Sequence, residues 1–464
     1  MKSKKHLLIP MLFTLLASGC SSPATTSNDK TPTSDGIVIN ITDEQIAEFK
    51  SSPVNITLWS PISGPDQGYL QNIVMKWNSQ YGDYLRITSD PQSEDNHYTR
   101  IITSFSDNST ADLTLIHNSR VAEYQRAGRL RKMTSLLSGV SIQKNDYLEA
   151  FWNANVFDND VYALTYDLLP TLLFYNRKLI PSGYSEADIT SNAFTLETMR
   201  EMMKAAYSHA PLNKNRIYGA AFNYAFTETP FLNYLYEQNG KPVDKDQPTT
   251  PLFNDQKGIN AANALRSIPL TYNSSNQRVA SESGADHLDI YSAGRALFTI
   301  DGLWSSHEIF TQNNRIDTGV TFLPKLSASS EKTTYADSHC FVTFTNKKVS
   351  EQRDRAIALV LKYFVDNSAY WCKGGKVAVR NDTIASSMYQ ELAWSSVSNM
   401  LDKVHLPEKV YTYKTITAEA GEACSILCEN KGSDQQPLPV GSLLDTAEKL
   451  NEAATKARQK AEQL

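Results

Sequence analysis

A two-lobed α/β protein is what this chain predicts, and three observations carry the expectation. Strand-like and helix-like runs alternate from Val54 onward, as β-α-β-α-β-α, the order of a parallel sheet with covering helices. The chain has 464 residues, too many for one compact core. An apolar run, Ala296 to Ile300, ends in the turn signal Asp301-Gly302 and then Trp304. Open α/β sheets bind ligands outside the carboxyl ends of their strands, so Asp301 and a flat ring at Trp304 sit where a crevice would be. The competing reading of Trp304 is a ring packed in the core.

Taken in order, Val38–Ile41 reads as a short extended piece and Asp43–Phe49 as a small helix. Val54–Trp59 is the first strand and Asp66–Tyr81 a helix, with Leu70, Ile73, Val74 and Trp77 forming one apolar stripe. Tyr84–Thr88 is a strand, Tyr98–Phe105 a helix, Leu113–Ile116 a third strand, and the helix that follows stops at Gly128. Two β-rich runs flank Asp167 and Pro170, as a strand passing between lobes would. A helix follows over 194–209, with Thr195 and Thr198 as its start signal. Tyr218–Phe222 is a strand, and helices occupy Pro230–Gln238 and Asn254–Ser267. Phe341–Phe344 is a strand, Glu351–Val365 a strongly amphipathic helix, and Leu443–Leu464 a charged, alanine-rich terminal helix.

Composition excludes some classes. Hydrophobic content of 41% and charged content of 20% are ordinary for a globular protein. The net charge of −5 argues against nucleic-acid binding, which needs a basic stripe. Aromatics at 10%, with 23 Tyr and 6 Trp, suit a saccharide binder, though Tyr is common in cores too.

At the amino end, Lys2, Lys4 and Lys5 precede an apolar run, Leu7–Leu16, too short to be a stable membrane helix. Residues 1–19 read as a signal peptide. Ala17-Ser18-Gly19-Cys20 is similar to a bacterial lipobox, which implies cleavage before Cys20 and a lipid on its thiol. An ordinary signal peptide with an incidental Cys is the alternative. Residues 20–37 are rich in Ser, Thr, Pro and Asn and read as a flexible tether.

Gly294-Arg-Ala-Leu-Phe-Thr-Ile-Asp-Gly-Leu-Trp304 resembles the G-x-A-M-x-x-x-G-x-W motif of family 1 extracellular solute-binding proteins, the sugar-binding subunits of ABC importers, with Phe298 for Met. Asp160–Asp167 with Leu172–Ile180 resembles the family's outward crossing, and Gly319–Pro324 its return crossing. Val377-Ala-Val-Arg380 corresponds to its G-x-x-P-a-R segment, without the Pro. The resemblance implies a type II periplasmic-binding-protein fold, each lobe a mainly parallel sheet with helices on both faces, joined by hinge strands. The lobes would comprise residues 38–166 plus 326–375, and 167–325 plus 376–464. It implies ligand contacts from Trp59, Ser60 and Ser63 after the first strand and from His117, Asn118 and Arg120 after the third. Asp167 at the boundary, Tyr224, Phe226 and Glu228 in the second lobe, and Arg380 complete the candidates, beside Asp301 and Trp304. A turn role for Asp167, a solvated helix start for Arg120 and simple packing for His117 are the competing readings. The partners implied are a carbohydrate, membrane permease subunits and, through Cys20, the membrane itself, for a monomer that uses no cofactor.

Export permits disulfides, and the pairs Cys340 with Cys372 and Cys424 with Cys428 are open. The sequence contains no G-x-S-x-G, H-E-x-x-H or P-loop motif. The leading expectation is a non-enzymatic capture protein that closes on a saccharide. A secreted glycan-acting enzyme and a ligand sensor docking on a receptor are the alternatives.

Overall fold

The computed structural model describes residues 35–208, 216–281, 287–311, 316–347, 349–430, 441 and 443–464. The leader, Cys20 and the tether to Ser34 lie outside the described residues. The first unit begins with α1 (Asp43–Ser51), whose Thr42 and Gln45 cap it reciprocally. It continues through β1 (Val54–Ser60), α2 (Gln67–Tyr81), β2 (Leu85–Pro91), α3 (Glu94–Asp107) and β3 (Leu113–His117). β1 runs parallel to both β2 and β3. The predicted stripe of α2 is its buried face, and Trp77 also donates its indole N–H to the Leu85 carbonyl at 2.6 Å. The short β4 (Leu164–Thr165) closes the first stretch.

β5 (Leu169–Asn176) then opens the second sheet and is buried along its whole length. α4 (Leu196–Ala206) starts on Thr195, whose hydroxyl accepts from the Thr198 N–H. β6 (Tyr218–Phe222), α5 (Glu228–Glu237), α6 (Gln256–Ser267), β7 (Ala296–Gly302), β8 (Thr318–Thr321) and β9 (Thr334–Asp337) follow. β6 and β7 are parallel, while β5 runs antiparallel to β7, β8 and β9. The second sheet is therefore mixed, because its central strand arrives from the other lobe.

β10 (His339–Val342) returns to the first sheet and lies between β3 and β4, antiparallel to both, which gives the order β2-β1-β3-β10-β4. α7 (Glu351–Asp366), capped by Ser350, turns a nearly continuous apolar face inward. β11 (Val404–His405) adds an edge to the second sheet beside β9. The chain ends in two packed helices, α8 (Tyr413–Glu429) and α9 (Thr446–Ala461). Their apolar residues, among them Ile416, Leu427, Leu450 and Ala457, belong to the second sheet's core with Phe222, Phe231 and Phe298.

Among the described residues, three passages join the sheets. The first runs through Tyr166, Asp167 and Leu168, between β4 and β5. The second falls at Ser338, between β9 and β10, and so comes later than the Gly319–Pro324 run suggests. That run becomes β8, held in the second sheet by Tyr175, whose ring lies so close over Gly319 that a Cβ there would meet it at 2.1 Å. The third leads from β10 to β11 and contains Val377, which exchanges two backbone hydrogen bonds with Leu168, at 3.0 and 3.1 Å. Neither of the two pairings left open by the sequence is formed: Cys340, Cys372, Cys424 and Cys428 are buried thiols outside any disulfide.

Candidate functional site

Between the two sheets lies a cleft of ≈ 420 Å³. The first lobe contributes the loop 61–66 after β1, Glu94 at the start of α3, His117 at the end of β3 and His339 at the start of β10. The second contributes Phe226, Glu228 and Thr229 at the start of α5, Trp304 beyond β7, Tyr335 and Asp337 of β9, and Lys414 of α8. Leu169 and Lys376, beside two of the passages, form its back.

The aromatic wall follows from local sequence. β7 is wholly buried and ends at Gly302, where the chain turns into a single helical turn, Leu303–Ser305. A Cβ on Gly302 would stand 2.2 Å from the Trp304 ring, so the ring rests directly on bare backbone. Phe226 meets that ring edge to face, with centroids 5.1 Å apart. Gly375, at φ +79, lets the third passage approach the same turn, since a Cβ there would lie 1.9 Å from the Leu303 carbonyl oxygen.

The charges are largely paired. Lys414 holds Glu228 at 2.8 Å, and Thr417 donates to the other Glu228 oxygen at 2.7 Å. Burial works against the charged form of Lys414, but Glu228 outweighs it and holds the ammonium above its ordinary range. Lys376 and Asp66 pair at 2.7 Å, both almost fully buried. For Glu94, burial raises the carboxyl, and the charges of His117, Lys414, Arg120 and His339 more than offset it, leaving it below the usual carboxylate range. Asp337 spends one oxygen on the backbone N–H groups of Ser119 and Ser338.

Of the residues singled out in the sequence, the structure brings Ser63, His117, Phe226, Glu228 and Trp304 together on the cleft wall. Others stand behind it. Trp59 is buried in the first lobe's core under the Arg100 guanidinium, 3.8 Å from its ring centroid. Ser60 is fully buried, and Asn118 donates to the Asn155 amide oxygen at 2.7 Å. Arg120 lies over the Tyr98 ring at 4.3 Å and pairs with Glu123. The Tyr224 hydroxyl donates to the Ser281 carbonyl. Asp301 is occupied by His287, at 2.6 Å, and by the Gly302 N–H. Arg380 is bound to Asp382 and sits over Tyr147. Asn118, Arg120, Tyr224, Asp301 and Arg380 spend polar atoms on neighbours away from the cleft, while the buried Ser60 hydroxyl has no hydrogen-bond partner among the described residues; sequence spacing reveals neither.

Asp167 is the most instructive of them. It is fully buried and faces no cleft. Its Oδ1 accepts from the His339 N–H at 2.8 Å, and its Oδ2 from the His339 ring and the Trp371 indole, each at 2.8 Å. Burial raises its carboxyl, but His339 and Lys376 prevail and keep it ionised below its ordinary range. Asp167 thus ties the first passage to the second. The residues that the sequence reading missed are Asp66, Glu94, Tyr335, Asp337, His339, Lys376 and Lys414. They come from distant segments and carry no shared motif.

A second depression, of ≈ 480 Å³, lies between α1, residues 135–140 and α7. Its lining, chiefly Glu44, Glu48, Asp354 and Arg355 around Leu136 and Leu359, belongs to the first lobe alone, and Arg355 is already bound to Glu48 by two hydrogen bonds. The cleft between the lobes, which closure can enclose, is the better candidate for capture.

Comparison with known proteins agrees with this architecture. The fold is similar to the Thermus thermophilus maltotriose binding protein bound with maltotriose, at TM-score 0.68 and 13% identity over 87% of this chain and 99% of that one. It is similar to an ABC substrate-binding protein from Listeria monocytogenes in complex with cycloalternan, at TM-score 0.69 and 14% identity over 88% and 99%. It is also similar to UgpB from Mycobacterium tuberculosis in complex with glycerophosphocholine, at TM-score 0.66 and 15% identity over 89% and 99%. Among curated sequences, 237 residues are 25% identical to an arginine–tRNA ligase of Idiomarina loihiensis, covering 45% of this chain. The chain spans only 38% of that relative's length, and the likeness assigns no family. Residues 63–336, more than half of the chain, match the profile of the bacterial extracellular solute-binding protein, and the chain with its two-lobed binding-protein fold belongs to that family.

Proposed function

We propose that this protein captures a carbohydrate, an oligosaccharide in particular, by closing its lobes, and delivers it to an ABC importer without transforming it. It works as a monomer on the extracytoplasmic face of the cell membrane, anchored through a lipid on Cys20. The observation that carries the reading is the composition of the cleft. An aromatic corner, Trp304 with Phe226, stands on one lobe. Carboxylates and imidazoles, Glu94, His117 and His339, line the other. Rings cover the C–H face of a sugar, and charged acceptors take its hydroxyls. The sugars in two of the similar structures support the choice of ligand. Ser63, His117, Phe226, Glu228 and Trp304 are the contacts we assign, with Asp167 and Lys376 behind them.

The test is a thermal-shift and calorimetric screen of the mature protein against linear and cyclic oligosaccharides. A binder present at 100 times its Kd should stabilise the protein by about 2.7 kcal/mol. Intact saccharide should be recovered afterwards. Shortened products would point to the glycan-acting alternative, and silence across the panel would remove the carbohydrate reading. For the anchor, Cys20→Ser should move the protein from the membrane fraction to the soluble one.

A further inference from the structure

His117 and His339 stand directly opposite one another on β3 and β10, with ring centroids 5.2 Å apart, and both line the cleft. Each ring has one nitrogen committed behind the cleft wall, and the two commitments are of opposite kind.

The Tyr98 hydroxyl oxygen accepts the His117 backbone N–H at 2.9 Å and lies 2.7 Å from His117 Nδ1. Tyr98 is buried, and burial pushes its phenol well above the ordinary range, so it keeps its proton. Among the described residues that proton has no acceptor other than His117 Nδ1. A neutral His117 therefore carries its own hydrogen on Nε2, as a donor. His339 is the reverse. Its Nδ1 faces Oδ2 of Asp167, an ionised carboxylate that can only accept. Nδ1 must then bear the hydrogen, and Nε2 is left with a lone pair. Among the described residues, neither Nε2 has a hydrogen-bond partner.

We infer that His117 and His339 act as a reading pair on the cleft floor, one N–H donor beside one lone-pair acceptor, which selects a ligand hydroxyl able to accept and donate at once. The inference rests on the proposed capture of a polyhydroxylated ligand and names the groups that recognise it. Asp167 and Tyr98 are positioning residues: they touch no ligand and fix the polarity of the pair.

A pH dependence follows. Protonating His117 puts a hydrogen on Nδ1 and leaves that of Tyr98 without a partner. The groups facing His117 are Glu94, His97 and Tyr98 from α3, Asp337 from β9, His339 from β10 and Lys414 from α8. Burial is the largest influence and lowers its imidazole, Glu94 and Asp337 oppose it, and His339 and Lys414 add to it. Because the His117 imidazole is held below its ordinary range, binding should persist at about pH 6.5 and fall only at lower pH, as that ring protonates.

The test uses mature protein with nitrogen-15 histidine, its rings assigned through single substitutions. At pH 8 without ligand, the imidazole shifts should show His117 protonated on Nε2 and His339 on Nδ1. The opposite tautomer at either ring overturns the inference. Maltotriose, cellotriose and chitotriose serve as probes. For whichever binds, His117→Phe and His339→Phe should each weaken affinity roughly tenfold or more, and His117→Gln, which restores an N–H at the same reach, should recover most of it. Affinity unchanged by both Phe substitutions would overturn the inference while leaving saccharide capture standing. If none of the three binds, the carbohydrate reading is in difficulty, and the tautomers still decide the inference on their own.

Discussion

At the scale of single residues, the Trp304 ring is placed by an absence. Gly302 has no side chain, and the ring fills the space where one would be. Two substitutions separate the ring's chemistry from its position. Trp304→Ala should weaken saccharide binding by roughly 2 kcal/mol, through lost apolar contact and ring stacking. Gly302→Ala keeps the indole but forces it off its seat, and should reduce binding comparably in calorimetry while its intrinsic fluorescence shifts. Equal affinity in Gly302→Ala and the parent would show that the seat does not matter. Trp304 was legible because its signal is local, a buried strand, a turn and a ring within eleven residues. Asp167 was singled out for the right neighbourhood and the wrong partner. The sequence places an acid at a passage, but only the register of β10 shows that His339 occupies it. His339 itself had no signal, since its importance comes from lying opposite His117 across a pairing of distant strands.

At the scale of elements, helices and strands with a clean period were legible to within a few residues: β1, α2, β6 and α7 all fall where their apolar patterns put them. What failed was the assignment of Gly319–Pro324 to a passage. A short alternating strand looks the same whether it leaves a sheet or joins it, and contact with Tyr175 decides the matter. α5 offers a prediction of its own. Glu237 near its end accepts the Leu326 N–H at 2.7 Å, and burial pushes its carboxyl up to about 7. Unfolded, the same group titrates near about 4.3. The folded state thus binds the extra proton between these values. Its contribution is complete below the unfolded value and is lost as pH rises through about 7. Glu237→Gln keeps the acceptor and removes the charge. It should melt higher than the parent at pH 8, by about 1–2 kcal/mol after allowance for partial exposure, and match it at pH 4. A parent and variant with parallel melting curves across that span would refute the assignment.

At the scale of the whole molecule, two lobes and a cleft follow from length, alternation and motif together. The number of passages does not, because backbone pairing such as that of Leu168 with Val377 leaves no pattern in the sequence. The thiols give a global test. Cys340 and Cys372 belong to buried parts of the first unit, and Cys424 and Cys428 face inward on α8. Burial drives the Cys340 thiol up to about 12, which suppresses the reactive thiolate. All four should resist a thiol reagent in the native protein and all four should react in denaturant without prior reduction. Fewer than four would reveal a covalent link. The placement of β10 also imposes a timetable. The first sheet holds a lane between β3 and β4 that only residues from far downstream can fill. A polypeptide emerging amino end first cannot complete that sheet until His339–Val342 has appeared, so the first lobe closes late in synthesis whatever the order of its other strands.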